Sequence, residues 1–482
     1  MTIRKITVTS TEVSNDANTS TGAFDLPAGT TAQRPGSPTS GNLRFNTDLE
    51  TTEIYDGNAW GKVSPLTPVI TTITGQIYNS LAGNLVITGS NFLVANLVVT
   101  FTPSGGSAST VTVTPTSDVS ATVATPSAIY GQSGGTVVAI TVTNTDNRTS
   151  AAFNKTVSAI PTGGDHIVED GLTRTHIFKQ SANFVVPNQL SNVDFLVVAG
   201  GGQGGRWYRG GGGGAGGLRS SIVNTGGANG SSVESKLTMS AATHSITVGA
   251  GGTSAQANNS NPGANGGDSS IGTQIVSTGG GGGGSWNGGV GQSGGSGGGA
   301  CSSSTQTSGG AGSGTSGQGF QGGQRGTNTS VQCGSGGGGA GALGQRGGND
   351  TDYSGEAGFG GDGVINTIIS STVATAQSVG EVVGSDVYYA GGGSGSSYTD
   401  GNINVTSGGG LGGGADGVHT VNGSNDYRAG VNAAANTGGG GSGANGQVTA
   451  GNASLYSSLS LNDYLTGGNG GSGVVIIKYT LD

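Results

Sequence analysis

Val193-Asp-Phe-Leu-Val-Val-Ala-Gly-Gly-Gly-Gln-Gly-Gly205, followed by Gly210-Gly-Gly-Gly-Gly-Ala-Gly-Gly-Leu-Arg219, decides the fold. The first half carries consecutive apolar residues, the signature of a strand buried on both faces. The second half has almost no side chains. Of the 104 glycines in the 482 residues, 87 fall within 199–482. Ordering a glycine costs roughly 0.5–1 kcal/mol more than ordering an alanine in regular structure. A folded glycine run must therefore gain something only glycine permits. Collagen needs glycine at every third place and abundant proline; here the spacing is irregular and the chain has 11 prolines. A better answer is a bundle of polyproline-II-type helices built of glycine. That helix has three residues per turn and no internal hydrogen bonds, so its N–H and C=O groups are available to neighbouring helices. Without Cβ atoms the helices approach closely, and Cα–H···O contacts accumulate.

Outward from this core, Gly473-Val-Val-Ile-Ile-Lys-Tyr-Thr480 repeats the apolar run at the far end. The two runs are expected side by side, so that the glycine-rich body leaves and returns to one base. His176-Ile-Phe and Asn183-Phe-Val-Val-Pro187 read as further strands. So do Ser245-Ile-Thr-Val-Gly, Ile271-Gly-Thr-Gln-Ile-Val-Ser, Asn366-Thr-Ile-Ile and Val383–Tyr389. No helical periodicity is present. Residues 66–158 hold short strands spaced for a β-sandwich, with Ile87, Phe92, Val99, Phe101, Val123, Ile140 and Val142 as its core. In 1–65, an early alternation (Ile3, Ile6, Val8) precedes one short strand with Arg44 and Phe45 and another with Ile54 and Tyr55, with Asp56-Gly57 as turn chemistry. Such a module has little core and is expected to borrow burial from neighbouring copies. The fold class is therefore all-β. Its parts are a small N-terminal module (1–65), an immunoglobulin-like sandwich (66–158) and a glycine-rich body (160–482) with edge strands in 176–200 and 473–480.

Composition narrows function by exclusion. The net charge is −9, 9% of residues are charged and no basic stripe exists, which argues against a nucleic-acid partner. No apolar run approaches the roughly 20 residues that span a bilayer, so membrane insertion is not expected. The start lacks an apolar signal region, so exit from the producing cell is expected by a route other than general secretion. Glycine runs satisfy G-x-G-x-x-G repeatedly, but no helix and no phosphate-loop lysine follow, so no nucleotide or other cofactor is expected. His166, His176, His244 and His419 lack metal-ligand spacing, and His176 and His244 read as solvent-facing sheet positions. Asp350, Asp352 and Glu356 offer oxygen ligands to calcium but miss the EF-hand pattern; a solvated loop is the main reading. Cys301 and Cys333 read either as two separate small residues or as a disulfide formed after release. No enzyme constellation emerges. The informative residues are aromatic: Trp207, Tyr208, Trp286, Tyr388, Tyr389, Tyr398 and Tyr427. They either plug gaps between glycine helices or line exposed tips that stack on a partner's surface. Tyr388, Tyr389 and Tyr398, flanking 391–393, are the foremost contact candidates.

Several landmarks carry resemblances. Gly41-Asn-Leu-Arg-Phe-Asn-Thr-Asp48 with Glu53-Ile-Tyr-Asp-Gly-Asn-Ala-Trp60 resembles a repeat of phage fibre proteins, cyanobacterial phages especially. Gly89-Ser-Asn-Phe92, Thr125-Pro126-Ser127 and Val142-Thr-Asn144 resemble the IPT/TIG immunoglobulin-like domain. Phe195–Gly205, 210–219, Ile246-Thr-Val-Gly-Ala-Gly-Gly and Gly470-Gly-Ser-Gly-Val-Val-Ile-Ile-Lys-Tyr resemble the glycine-rich domain of phage tail fibres and adhesins. Together they imply a virion fibre: elongated, trimeric, joined to other virion proteins through 1–65. On this reading it is a receptor-binding adhesin contacting a host glycan or outer-membrane protein without catalysis. The alternatives are a purely structural capsid, collar or neck fibre, and a cellular surface adhesin or matrix protein.

Overall fold

The structure, a computed structural model, describes residues 26–481 apart from 64–66, 93–95, 224–232, 255–260, 287–289, 302–309, 327–332, 349–355, 400–406, 422–427 and 446–465. The proposed early strand at Ile3, Ile6 and Val8 lies outside them. The chain forms two compact units, 1–75 with 83–129 and 137–155, and 76–82 with 130–136 and 156–482.

In the first unit, a four-stranded sheet runs Ala28–Gly29, Leu43–Asn46, Thr51–Tyr55, Trp60–Lys62. Asp56 makes its last turn by accepting the N–H groups of Asn58 and Ala59, each at 2.8 Å. The inner face of this sheet is polar. Glu53 is bound by Arg34 at 2.6 Å, by Arg44 at 3.4 Å and by the Asn46 amide at 3.1 Å. The sandwich strands pair antiparallel in one sheet of order Ser120–Ala124, Asn84–Ser90, Val69–Thr74. A second sheet places Leu97–Pro103 between Val137–Thr143 and Ser109–Val113. Ile87, Phe92, Val99, Phe101, Val123, Ile140 and Val142 are all buried, as the alternation required.

In the second unit, the two apolar runs are neighbours. Leu190–Val198 pairs antiparallel with Val474–Thr480, Phe195 opposite Ile477 and Val197 opposite Val475. The sheet continues through Thr173–Phe178 to His166–Asp170 on one side and to Leu218–Ser220 on the other. Both faces are covered, which is why the runs are continuously apolar. Leu196, Val198, Val474 and Ile476 pack with Ile368, Val387 and Tyr389. Phe195, Val197, Val475 and Ile477 pack with Phe184, Ile246 and Ile271.

Two expectations are corrected here. His176 is not solvent-facing. It is fully buried, with Nδ1 2.7 Å from the Gly163 carbonyl and Nε2 2.9 Å from the Tyr479 hydroxyl. His244, by contrast, is half-buried. The Asn366–Ile369 strand is also absent. The strand is Val364–Ile365, because the Asn366 side chain accepts the Ile368 N–H at 2.9 Å and turns the chain. Ser370 then caps a helix, Ser371–Gln377, whose Ala374 joins the core beside Ile368 and Ile369.

Between the strands, glycine helices pack by backbone alone, and one of them shows the rule. In 200–205 the N–H groups of Gly200 and Gln203 donate to the run 264–267. Those of Gly201 and Gly204 donate to 468–471, and those of Gly202 and Gly205 to 211–214. Each third residue returns to the same neighbour. This is the hydrogen-bond repeat of polyglycine II.

The run 210–217 is surrounded on six sides. It donates to 278–284, 335–338 and 438–444, and accepts from 202–205, 296–299 and 393–396. None of its glycines has a positive φ, so space, not left-handed backbone, demands glycine. A Cβ on Gly211, Gly212, Gly213 or Gly214 would lie well under 3.0 Å from a neighbouring carbonyl oxygen.

Two outcomes follow from this packing. Gly213→Ala should cost about 3 kcal/mol or more, the upper range for overpacking. Gly310→Ala, where a Cβ meets only Gln324 Oε1 at 4.0 Å, should be neutral or slightly stabilising; urea titration of the full chain measures both. Burial, with the nearby Arg174 charge, lowers the His176 pKa against the Gly163 hydrogen bond that raises it. The unfolded chain therefore binds this proton more readily. The contribution is neutral above the ordinary histidine range and destabilising as pH falls through it towards the folded value. The thermal midpoint should fall between pH 7.5 and 5.5, and less so in His176→Gln.

Candidate functional site

Because the glycine helices run alternately away from and back to the sheet, their register places every connection at one of two ends. At the end remote from the sheet, Gly205 donates to Gly211 at 2.7 Å and closes a turn over Arg206-Trp-Tyr-Arg209. Gly210 donates to Ala444, Ser396 to Gly210, Gly334 to Ser396, and Arg428 and Asn445 to each other. Trp286, Cys301, Cys333, Ser397 and Arg428 thus gather around that turn. The described residues bordering 255–260, 287–289, 302–309, 327–332, 349–355, 400–406, 422–427 and 446–465 lie at this same end. Chemistry can vary here without disturbing the helices, because loop ends tolerate change that the packed interior does not.

The turn is built under strain. Trp207 and Arg209 have φ of 64° and 58°, a region that costs a non-glycine residue about 1–2 kcal/mol. It is held by side chains: the Arg206 N–H donates to Ser285 Oγ at 2.9 Å, and Asn445 Oδ1 accepts from the Arg209 N–H at 3.4 Å. Tyr208 and Trp286 meet edge to face, centroids 5.0 Å apart. The Arg209 guanidinium lies 3.8 Å from the Tyr208 centroid and 5.3 Å from that of Trp286, a cation–π sandwich. Arg206 is fully buried, and its Nη2 donates to Gln203 Oε1 at 3.2 Å and to the Ser254 carbonyl at 3.4 Å. Burial pulls both guanidinium groups below their ordinary range; for Arg209 the neighbouring Tyr208 opposes that.

Cys301 and Cys333 are not joined; each is a buried thiol, and the disulfide reading is corrected. Cys301 Sγ donates to the Tyr208 carbonyl at 3.6 Å, and both sulfurs feel the Arg209 charge. Burial nonetheless pushes the Cys301 thiol up to about 12.

A second polar group at this end is His419. Its Nε2 accepts the Ser407 N–H at 3.3 Å, so its proton sits on Nδ1, which donates to Ser397 Oγ. In that tautomer Nδ1 is no base toward Ser397. Burial and the Arg428 charge hold the ring below its ordinary pKa.

The aromatic expectations divide. Trp207, Tyr208 and Trp286 come together at the remote end; Trp207 and Trp286 are half-buried and Tyr208 is buried. Tyr388 and Tyr389 sit at the other end, in the sheet Val364–Ile365, Asp386–Tyr389, Glu381–Val383. Tyr389 is 0% exposed in the core beside Ile368, so it offers a partner no surface. Its place as a foremost contact candidate is corrected, and Tyr388 is half-buried beside it. Tyr398 lies on Ser397–Thr399, paired in parallel with His419–Val421, and its side chain lies outside the described residues. Tyr427, Asp350 and Asp352 also lie outside them, while Glu356 is exposed. Among the described residues no group of three His, Cys, Asp or Glu is placed to hold a metal. Sequence reading missed Arg206 and Arg209, although four consecutive bulky residues between two glycine runs already mark a turn at a helix end.

An all-β chain whose body is a bundle of backbone-paired glycine helices, closed by an arginine–aromatic turn, defines a glycine-rich structural class. The comparison with protein families agrees. Residues 177–480 match the family described as "Glycine-rich domain", and the chain belongs to it. No curated protein and no solved structure matches.

The thiols provide a check on the packing. With its pKa near 12 instead of 9.0, Cys301 carries about a thousandfold less reactive thiolate at pH 8. Alkylation of native protein at pH 8 should leave Cys301 unmodified over hours, while protein in 8 M urea should react within minutes. Peptide mass analysis reads the difference.

Proposed function

We propose that this protein is a fibre of a phage virion, and that the remote end of its glycine bundle is a receptor-binding surface. The observation that carries this is the convergence there of Trp207, Tyr208 and Trp286 with Arg206 and Arg209. Tyrosine, tryptophan and arginine are the residues that dominate binding energy at protein contacts. Half-buried Trp207, held at positive φ, is pre-ordered, so binding loses little entropy through it. The expected partners are a host-surface glycan or the outer loops of a membrane protein, bound without covalent chemistry. Several fibres acting together would raise weak contacts to useful avidity. In this reading the N-terminal module joins the fibre to other virion proteins and the sandwich acts as a spacer. Burial of Tyr208 and Arg209 favours a second reading, in which the cluster seals the bundle of a purely structural fibre.

Competition separates the two. Candidate host cells pre-incubated with the purified full chain should adsorb phage more slowly, in proportion to dose. The Trp207→Ala/Trp286→Ala variant, folded by circular dichroism, should need at least about tenfold more protein for the same block, a loss near 1.4 kcal/mol. Absence of blocking by the folded wild-type chain would leave the structural fibre as the better reading.

A further inference from the structure

In the N-terminal sheet two guanidinium groups share one carboxylate. Residues directly opposite across antiparallel strands share a face, and the register sets Arg44 against Glu53 and Trp60 against Tyr55. Glu53 and Tyr55 are two apart on one strand, so all four belong to the inner face. Arg34 takes both oxygens of Glu53, Nε donating to Oε1 at 3.1 Å and Nη2 to Oε2 at 2.6 Å. The Asn46 amide adds a bond to Oε2 at 3.1 Å. Arg44 comes second. Its Nε stands 3.4 Å from Oε1 but makes no hydrogen bond, and its Nη2 donates to the Thr30 carbonyl at 3.0 Å. Its Nη1 donates to nothing among the described residues and, unlike Nε, is not shut off from solvent. Among the described residues no other carboxylate lies in ion-pair range of either arginine. Arg44 is nevertheless only 5% exposed.

Arg44 lines a cleft of about 330 Å³ walled by Pro27, Pro35, Leu43 and Trp60. The Trp60 ring leans on Tyr55, centroids 5.6 Å apart, and lies 6.0 Å from the Arg44 guanidinium carbon. The cation is thus held beside an aromatic wall. No acidic side chain lines the cleft among the described residues. Burying a charge is costly unless it is paired and hydrogen-bonded, and a guanidinium N–H bonds a carboxylate about twice as strongly as a neutral acceptor. One positive charge in excess calls for a monoanion, and the apolar walls call for an apolar body attached to it. We propose that this cleft binds a small organic acid, its carboxylate on Arg44 and its apolar body against Trp60, Leu43 and Pro35. The proposal concerns the first unit alone and does not rest on the receptor-binding reading of the glycine bundle.

The test is calorimetric titration of the full chain with sodium phenylacetate, a carboxylate on an apolar ring. Saturable binding at one site per chain is expected, with a Kd of about 1 mM or below. Arg44→Met should weaken it at least about tenfold. A second arm does not depend on how that variant folds. Phenylacetamide, which keeps the ring and loses the charge, should bind the wild-type chain at least about tenfold more weakly than phenylacetate. No saturable heat with phenylacetate, equal binding of the amide, or unchanged binding by a folded Arg44→Met chain would overturn the proposal. None of these results bears on adsorption to host cells, so the two readings fail separately.

Discussion

Everything in the larger unit depends on one interaction, the hydrogen bond between backbone groups of parallel-axis glycine helices. Because three residues complete a turn, the N–H groups of one helix point to three neighbours, and its carbonyls receive from three others. The run 210–217 satisfies all six directions. That leaves little volume for side chains between helices, where buried residues are mostly small, such as Ser296, Ser335 and Ser442, so composition is a consequence of the bonding. It also explains why bulky residues are expelled to the two ends. At one end they form the apolar sheet around Phe195 and Ile477; at the other, the turn Arg206–Arg209 with Trp286.

The chain thereby contains three kinds of interior. The sandwich is held by side-chain burial around Phe92 and Phe101. The glycine bundle is held by peptide groups. The N-terminal sheet encloses an arginine–glutamate–asparagine network and leaves its leucine, phenylalanine and isoleucine outside.

How far the sequence could be read follows from where side chains carry information. Val193–Val198 and Val474–Tyr479 were legible as partners because continuous apolar runs require cover on both faces. The sandwich core was legible through its alternation, and the glycine helices through the cost of ordering glycine, which calls for a packing only glycine permits. Register was not legible, since runs of glycine specify no neighbour. For that reason the end of the bundle at which Tyr388 and Tyr389 lie, next to glycines in sequence, was not legible. Tyr389 in fact packs with Ile368 and Val387. His176 was misplaced because its partners, the Gly163 carbonyl and the Tyr479 hydroxyl, come from positions its own strand does not reveal. The arginines of the turn were not legible as part of the cluster, because arginine is ordinarily exposed and only the fold buries Arg206 and Arg209 there.

A core of peptide groups also has a calorimetric consequence. Heat capacity rises on unfolding when apolar surface is exposed and falls when polar surface is exposed. Unfolding the run 210–217 and its six neighbours releases mostly peptide N–H and C=O groups into water, with little hydrocarbon. The bundle therefore adds little curvature to the stability curve, whose shape is left to the sheet and the sandwich. Its own contribution changes only gently with temperature, in the cold as well as in the heat.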